Sequence, residues 1–176
     1  NNEIGTIEPI AEIGNLIKSF KQEKGASETP FSRFYPLFHT DASQALQFLD
    51  CNVEKLGIDL MTISAHKIYG PKGVGALYVR GSRISNSLNP SGYPLNPIIT
   101  GGRQEFGIRS GTENIPAVVG FAKAVELIQK NKEEEAKRLR ELSEYFLEGL
   151  KKIYQKIEFN GPKKKGERLP NVLNIY

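Results

Sequence analysis

The spacing of apolar residues changes several times along the chain, and each change predicts an element. Over residues 6–20, Ile7, Ile10, Ala11, Ile13, Gly14, Leu16 and Ile17 recur at helical intervals. Pro9 falls near the start, where a first helical turn tolerates it. Residues 21–35 are polar and hold Gly25, Ser27, Pro30 and Ser32, which predicts a long surface loop. Leu37-Phe38-His39-Thr40-Asp41 predicts a short strand ending in an acid, residues 42–46 a helical turn, and residues 53–56 a short connection with Lys55 on its polar side. Leu60-Met61-Thr62-Ile63-Ser64 predicts a second, buried strand, and Gly75-Ala76-Leu77-Tyr78-Val79-Arg80 a third. The turn at residues 70–73 is short and permits the third strand to return antiparallel beside the second. Residues 81–107 are rich in Ser, Pro, Gly and Asn, a loop of a length that is usually functional.

From Glu113 the period is helical again, through Ile115, Val118, Val119, Ala122 and Val125. Pro116 falls in the first turn, and Thr112 or Asn114 is the expected cap. The charged stretch at residues 130–137 predicts a break or exposed turn. Leu139, Leu142, Phe146, Leu150, Ile153 and Ile157 then resume a helical stripe, expected to be a packing face. A turn at Phe159-Asn160-Gly161-Pro162, a basic loop and a strand-like alternation over residues 171–176 close the chain. Strands separated by helices predict an α/β layered domain, in which ligands sit beyond the carboxyl ends of strands. Asp41 and Ser64 both fall at such ends.

The 176 residues suffice for one medium domain with its own core. No apolar run approaches the ~20 residues of a membrane span, and no charged-then-apolar leader opens the sequence. The net charge of +4 owes much to Lys163, Lys164, Lys165 and Arg168. A nucleic-acid binder would spread its basic residues over a face interleaved with aromatics, so neither nucleic acid nor membrane is an expected partner. The single cysteine, Cys51, excludes an internal disulfide and fits a reducing, cytoplasmic setting. With no nearby His or cation to activate it, Cys51 reads as inert. The first residue is Asn1 rather than Met, and the terminal strand stops without a partner. The chain is therefore expected to be a piece of a longer protein.

The chemistry concentrates in Ser64-Ala65-His66-Lys67-Ile68-Tyr69-Gly70-Pro71-Lys72-Gly73, where a hydroxyl, an imidazole and an amine follow a buried strand. A lysine so placed suits an amine that bonds covalently to a carbonyl. Pyridoxal phosphate (PLP) offers such a carbonyl, and it also needs phosphate donors and an acid partner for its ring nitrogen. Lys67 is the candidate for the amine, with Lys72 on the turn as its rival. Asp41 is the candidate acid, and its alternative reading is a strand-end cap. Ser64 and His66 could donate to the phosphate, Gln44 to the phenolic oxygen, and Asn2 to that oxygen or a substrate carboxylate. For each of these, local backbone hydrogen bonding is the plainer alternative. His39 and Asp41, two apart on a strand, share a face and with His66 form a competing metal reading. No further ligand is evident, so no metal is expected. The glycines of residues 70–75 lack the spacing of a phosphate-binding P-loop and suit a tight turn instead. Around Gly101-Gly102-Arg103-Gln104-Glu105 and Arg109-Ser110-Gly111-Thr112-Glu113-Asn114, a loop meets a helix start, which suits either an anion or simple capping.

Four motifs carry a family resemblance: Asn1-Asn2-Glu3-Ile4-Gly5, His39-Thr40-Asp41-Ala42-Ser43-Gln44, the Ser64 to Gly73 segment, and Arg109-Ser110-Gly111-Thr112-Glu113-Asn114. Their residues and order resemble the cysteine desulfurases, enzymes of the class V aminotransferase group, over almost the whole chain. The resemblance implies a fold type I PLP enzyme, normally a homodimer. Residues 1–130 would be part of the PLP-binding large domain, 131–157 a linking helix and 158–176 the start of a small C-terminal domain. It implies that Lys67 holds the cofactor, Asp41 pairs with the ring nitrogen, Gln44 and Asn2 stand near the phenolic oxygen, and Ser64 and His66 bind the phosphate. Thr112 would reach the phosphate of the partner subunit. The implied reaction takes sulfur from L-cysteine, leaves L-alanine and passes a persulfide to an acceptor for iron–sulfur cluster assembly or tRNA thiolation. Further phosphate contacts and a ring-stacking histidine are expected ahead of Asn1, and the persulfide cysteine and substrate-binding arginine beyond Tyr176. Cys51 does not match the family's nucleophile, so these residues alone are not expected to complete the reaction. Another class V enzyme, such as a selenocysteine lyase, and a non-catalytic fragment are the alternatives.

Overall fold

Three strands, β1 (His39–Asp41), β2 (Leu60–Ser64) and β3 (Gly75–Val79), pair in the order β1-β2-β3 in a computed structural model of the chain. The structure describes residues 1–23, 36–80, 95–164 and 166–176. β1 and β2 run parallel with Asp41 opposite Thr62. β3 returns antiparallel, as the short turn permits, with Ser64 opposite Gly75. A parallel pair requires a crossover. It begins with a turn in which the Ala42 carbonyl accepts from the amides of Ala45 and Leu46, and ends with the helix α2 (Val53–Leu56). The Asn52 side chain caps α2 by accepting from the amides of Glu54 and Lys55, 3.0 and 3.1 Å away. Gly57, at φ 64°, closes it in the left-handed region.

The preceding helix, α1 (Ile10–Glu23), crosses directly over α2: a Cβ on Gly14 would stand 2.2 Å from the Leu56 carbonyl oxygen. Strand alternation then sorts the sheet into two sides. Met61 packs with Ala42 and Ile58, flanked by Ile10, Phe38, Leu56 and Tyr78. Ile63 also meets a second cluster of Leu46, Ala65, Ile68, Phe121, Ala124 and Ile128. On the opposite side lie His39, Asp41, Thr62, Ser64 and Leu77, all exposed or half-buried, together with the buried Leu60.

The long helix α3 (Ile115–Ile153) supplies Phe121, Ala124 and Ile128 to the core. Asn114 caps it, accepting from the Ala117 amide at 3.3 Å, with Pro116 in the first turn. The break expected at residues 130–137 does not exist. The Lys, Glu, Ala and Arg found there are good helix formers, Ala136 is buried, and Arg138 pairs with Glu135 at 2.6 Å. Lys132 Nζ also donates to the Leu49 carbonyl. A run of charges marked a solvated face, not an end. α3 stops at Ile153, short of the predicted Ile157, and Leu142, Phe146 and Ile153 are exposed rather than packed.

α1 likewise starts later than predicted. Thr6 bridges Arg168, and the Ile7 amide donates to the Glu167 carbonyl at 2.9 Å, so these residues are extended. The strand expected over residues 171–176 is not formed, and the segment is not without a partner: it makes a local bridge. Glu158 and Tyr176 exchange two backbone hydrogen bonds of 3.1 Å around the Phe159–Ile175 bridge. Most of the two predicted loops, residues 24–35 and 81–94, lies outside the described residues. Residues Glu105–Gly107 form a short 3-10 turn.

Candidate active site

Immediately after Ser64 the chain folds into a 3-10 turn, Ala65–Ile68. Its two apolar residues anchor it: Ala65 is 0 % and Ile68 1 % exposed, packed among Leu46, Phe121, Ala124 and Ile128. The two polar residues between them, His66 and Lys67, are left in solvent. Tyr69 ends the turn in the left-handed region at φ 64°, its amide donating to the Ala65 carbonyl. A non-glycine residue there costs about 1–2 kcal/mol, offset by the burial of Ile68 beside it. The Gly70 amide reaches the same carbonyl at 2.9 Å. Ser64 Oγ lies 2.9 Å from His66 Nδ1, so hydroxyl and imidazole are already paired. Lys67 has no ion pair or hydrogen bond among the described residues.

At the end of β1, Asp41 Oδ1 accepts from the Ser43 amide at 2.9 Å. The Ser43 hydroxyl and amide hold the Asp41 carboxyl below its ordinary value, with a smaller contribution from His39, against slight desolvation. It is therefore ionised at neutral pH. His39 Nε2 stands 2.8 Å from Thr62 Oγ1. Register places Asp41 beside Thr62, and Ser64 two residues further on the same face. Asp41, Ser64, His66 and the Lys67 turn thus gather at the carboxyl ends of two adjacent parallel strands. Thr62 was missed by sequence reasoning, though the i, i+2 rule from Ser64 would have placed it on that face.

The remaining candidates are less tightly joined. Gln44 sits half-buried in the turn after β1 and, with Asp41, borders a cavity of about 330 Å³ whose walls include Ile10, Cys51, Leu56 and Leu169. Ser64, His66 and Lys67 do not line it. Asn2 is exposed in the first turn, where the Asn1 side chain takes the amides of Glu3 and Ile4. Thr112 is exposed ahead of the α3 cap. Among the described residues, neither hydrogen-bonds to the strand-end group. In the loop before α3, Ser110 Oγ donates to the Gly102 carbonyl and the Gly111 amide to Gln104 Oε1, so its polar groups serve local order and capping. Both histidines engage a neighbouring hydroxyl, and among the described residues no three of His, Cys, Asp and Glu converge as metal ligands. Burial pushes the half-buried Cys51 thiol up, outweighing the opposing charge of Lys132, a nearby cation not expected from the sequence.

Comparison with known proteins shows the family and fold of the chain. A cysteine desulfurase IscS of Dictyoglomus turgidum is 42% identical over 175 residues, 99% of this chain and 38% of that protein. A selenocysteine lyase of Rattus norvegicus is 42% identical over 177 residues, with the same shares of 99% and 38%. Among solved structures, a NifS-like protein from Rickettsia africae aligns with a TM-score of 0.79 at 34% identity, covering 99% of this chain and 41% of that one. DndA from Streptomyces lividans aligns at 0.73 and 30%, covering 99% and 43%. The chain thus spans about 38% of the length of these curated relatives. Its three strands and flanking helices are part of the mixed α/β fold of the NifS-like structures, as the motifs implied. Among the described residues no helix is long and apolar enough to cross a membrane. The Aminotransferase class-V family model matches residues 1–176, and with these strand-end residues in place the chain belongs to the class-V aminotransferase family.

Proposed function

We propose that this protein is a PLP-dependent cysteine desulfurase, taking sulfur from L-cysteine and leaving L-alanine. The observation that carries the reading is the grouping of an unpaired lysine, a hydroxyl–imidazole pair and an ionised carboxylate at the ends of β1 and β2. This donor set fits PLP. Asp41, already a carboxylate, would hold the proton of the ring nitrogen. Ser64 and His66 would bind the phosphate, and Gln44 and Asn2 would stand near the phenolic oxygen. Lys67 would hold the cofactor and later move a proton as general acid and base. Bound PLP supplies an electron sink for the substrate's α-carbon. Thr112 would serve the phosphate held by a second copy in a homodimer. A large domain through residue 130 and a small domain from 158 remain the organisation we favour, with the later part of α3, as far as Ile153, as the link rather than a separate helix at 131–157. Cys51 would not be the sulfur-carrying nucleophile, since it does not match the family's nucleophile position; burial also pushes its thiol up. A cytoplasmic enzyme handing persulfide sulfur to an acceptor, for iron–sulfur clusters or tRNA thiolation, completes the reading.

In the full-length protein, added PLP should produce the visible band of the lysine-bound cofactor. Lys67→Ala should abolish that band and the release of alanine from L-cysteine. A band that survives in Lys67→Ala would overturn the assignment. Selenocysteine lyase is the second reading, favoured by the rat relative. Turnover of selenocysteine with none of cysteine would establish it instead.

A further inference from the structure

The Lys67 turn continues through Tyr69, Gly70 and Pro71, and this continuation lies against the first half of α3 without spare room. A methyl on Gly70 would stand 2.9 Å from the Ala65 carbonyl oxygen and 3.2 Å from Ala124 Cβ. A methyl on Gly120, one turn earlier along α3 than Ala124, would stand 2.7 Å from Pro71 Cγ and 3.2 Å from its Cδ. A separation below 3.0 Å forces one partner to move. The partner here is a closed pyrrolidine ring rather than the loose end of a side chain. α3 is equally firm, because Ala117, Phe121, Ala124 and Ile128 bury this part of it. Gly149, on the same helix, offers a contrast: a methyl there would meet nothing within 4 Å. Glycine weakens a helix interior relative to alanine. At Gly120 the space for Pro71 accounts for it.

We propose that Gly120 is a positioning residue for Lys67. By admitting the Pro71 ring against α3, it sets how far the lysine turn stands off the helix, and so where the amine projects relative to Ser64, His66 and Asp41. The inference rests on the reading of Lys67 as the amine that bonds PLP. The path from Pro71 to Lys67 is short and has little slack. Gly70 is bonded to the Ala65 carbonyl, Tyr69 sits in a constrained left-handed conformation, and Ile68 is buried. A sideways push on Pro71 must therefore be taken up by the backbone that carries the amine.

The test compares full-length wild type, Gly120→Ala, Gly149→Ala and the double variant Gly120→Ala/Pro71→Ala. PLP is trapped on Lys67 with borohydride and the modified peptide quantified by mass spectrometry, alongside the pH midpoint of the visible band. Gly120→Ala should lower the trapping rate about tenfold, as expected for a reacting group displaced by a fraction of an ångström to one ångström, and should move the midpoint. Gly149→Ala should match wild type. The double variant removes the two ring carbons that the new methyl meets, and should recover trapping. Gly120→Ala trapping as well as Gly149→Ala overturns the proposal. So does a folded double variant that remains as slow as Gly120→Ala. If Gly120→Ala alone does not fold, the double variant is compared with wild type instead: trapping near the wild-type rate supports the proposal, and trapping about tenfold slower in a folded double variant overturns it. Failure of wild type itself to trap PLP at Lys67 would overturn the functional reading and this inference together, and is told apart because Gly149→Ala would be blank as well.

Discussion

Met61 and Thr62 are neighbours in β2, yet they belong to different sides of the molecule. Met61 is 7 % exposed, pressed into the cluster built by α1, α2 and the crossover. Thr62 points the other way, next to Asp41 in register and hydrogen-bonded to His39. One side of the sheet is apolar, filled and held by close contacts; the other buries Leu60 but is otherwise more open, and carries Asp41 and Ser64 at the strand ends. The packed side stabilises by removing surface from water. The open side contributes few buried contacts of its own and depends on the packed side to keep its groups in register.

The sharpest way to break this contrast is Met61→Ala. It should cost about 2–4 kcal/mol, as truncations in filled cores do, read by urea denaturation. A loss below about 1 kcal/mol would show that this side is not tightly packed. Thr62→Val, one residue on, should cost about 1 kcal/mol or less, the worth of a single hydrogen bond to His39. A loss equal to that of Met61→Ala would mean that the two sides are built alike. The smallest effect is expected from Ser43→Ala. Removing that hydroxyl should let the Asp41 carboxyl rise back toward its ordinary value, seen in an NMR titration of the carboxyl carbon. The sign follows from linkage. A depressed carboxyl contributes stability above its unfolded value, and that stability is lost as pH falls through the folded value. The variant should therefore depend less on pH in the acid range than wild type. An unchanged titration would show that the Ser43 hydroxyl does not hold the carboxylate.

Much of this was legible in the sequence. β2 matches its predicted bounds, because its run of Leu, Met, Thr, Ile and Ser is short and framed by turn residues. The short turn permitted the antiparallel return that β3 makes. Asp41 and Ser64 were expected at strand ends and are found there. What failed did so for identifiable reasons. The charged stretch at residues 130–137 resembles a break only if charge is taken as a loop signal, whereas helix propensity carries α3 through it. Residues 6–9 have helical spacing but are drawn into an extended pairing with Arg168 and Glu167. No local window contains that partner.

Residue types and their spacing were enough to place the three strands of the sheet to within a residue or two, to narrow the α3 cap to Thr112 or Asn114, and to give the motif that holds Lys67 and the family. These depend on local propensity and on the alternation of side chains, both of which a short window carries. Tertiary structure alone decided that His39 meets Thr62, that Tyr69 takes a left-handed turn, and that Pro71 rests in the gap left by Gly120. Each joins residues from different elements or depends on such a join, and only the packing of those elements against one another sets the distances.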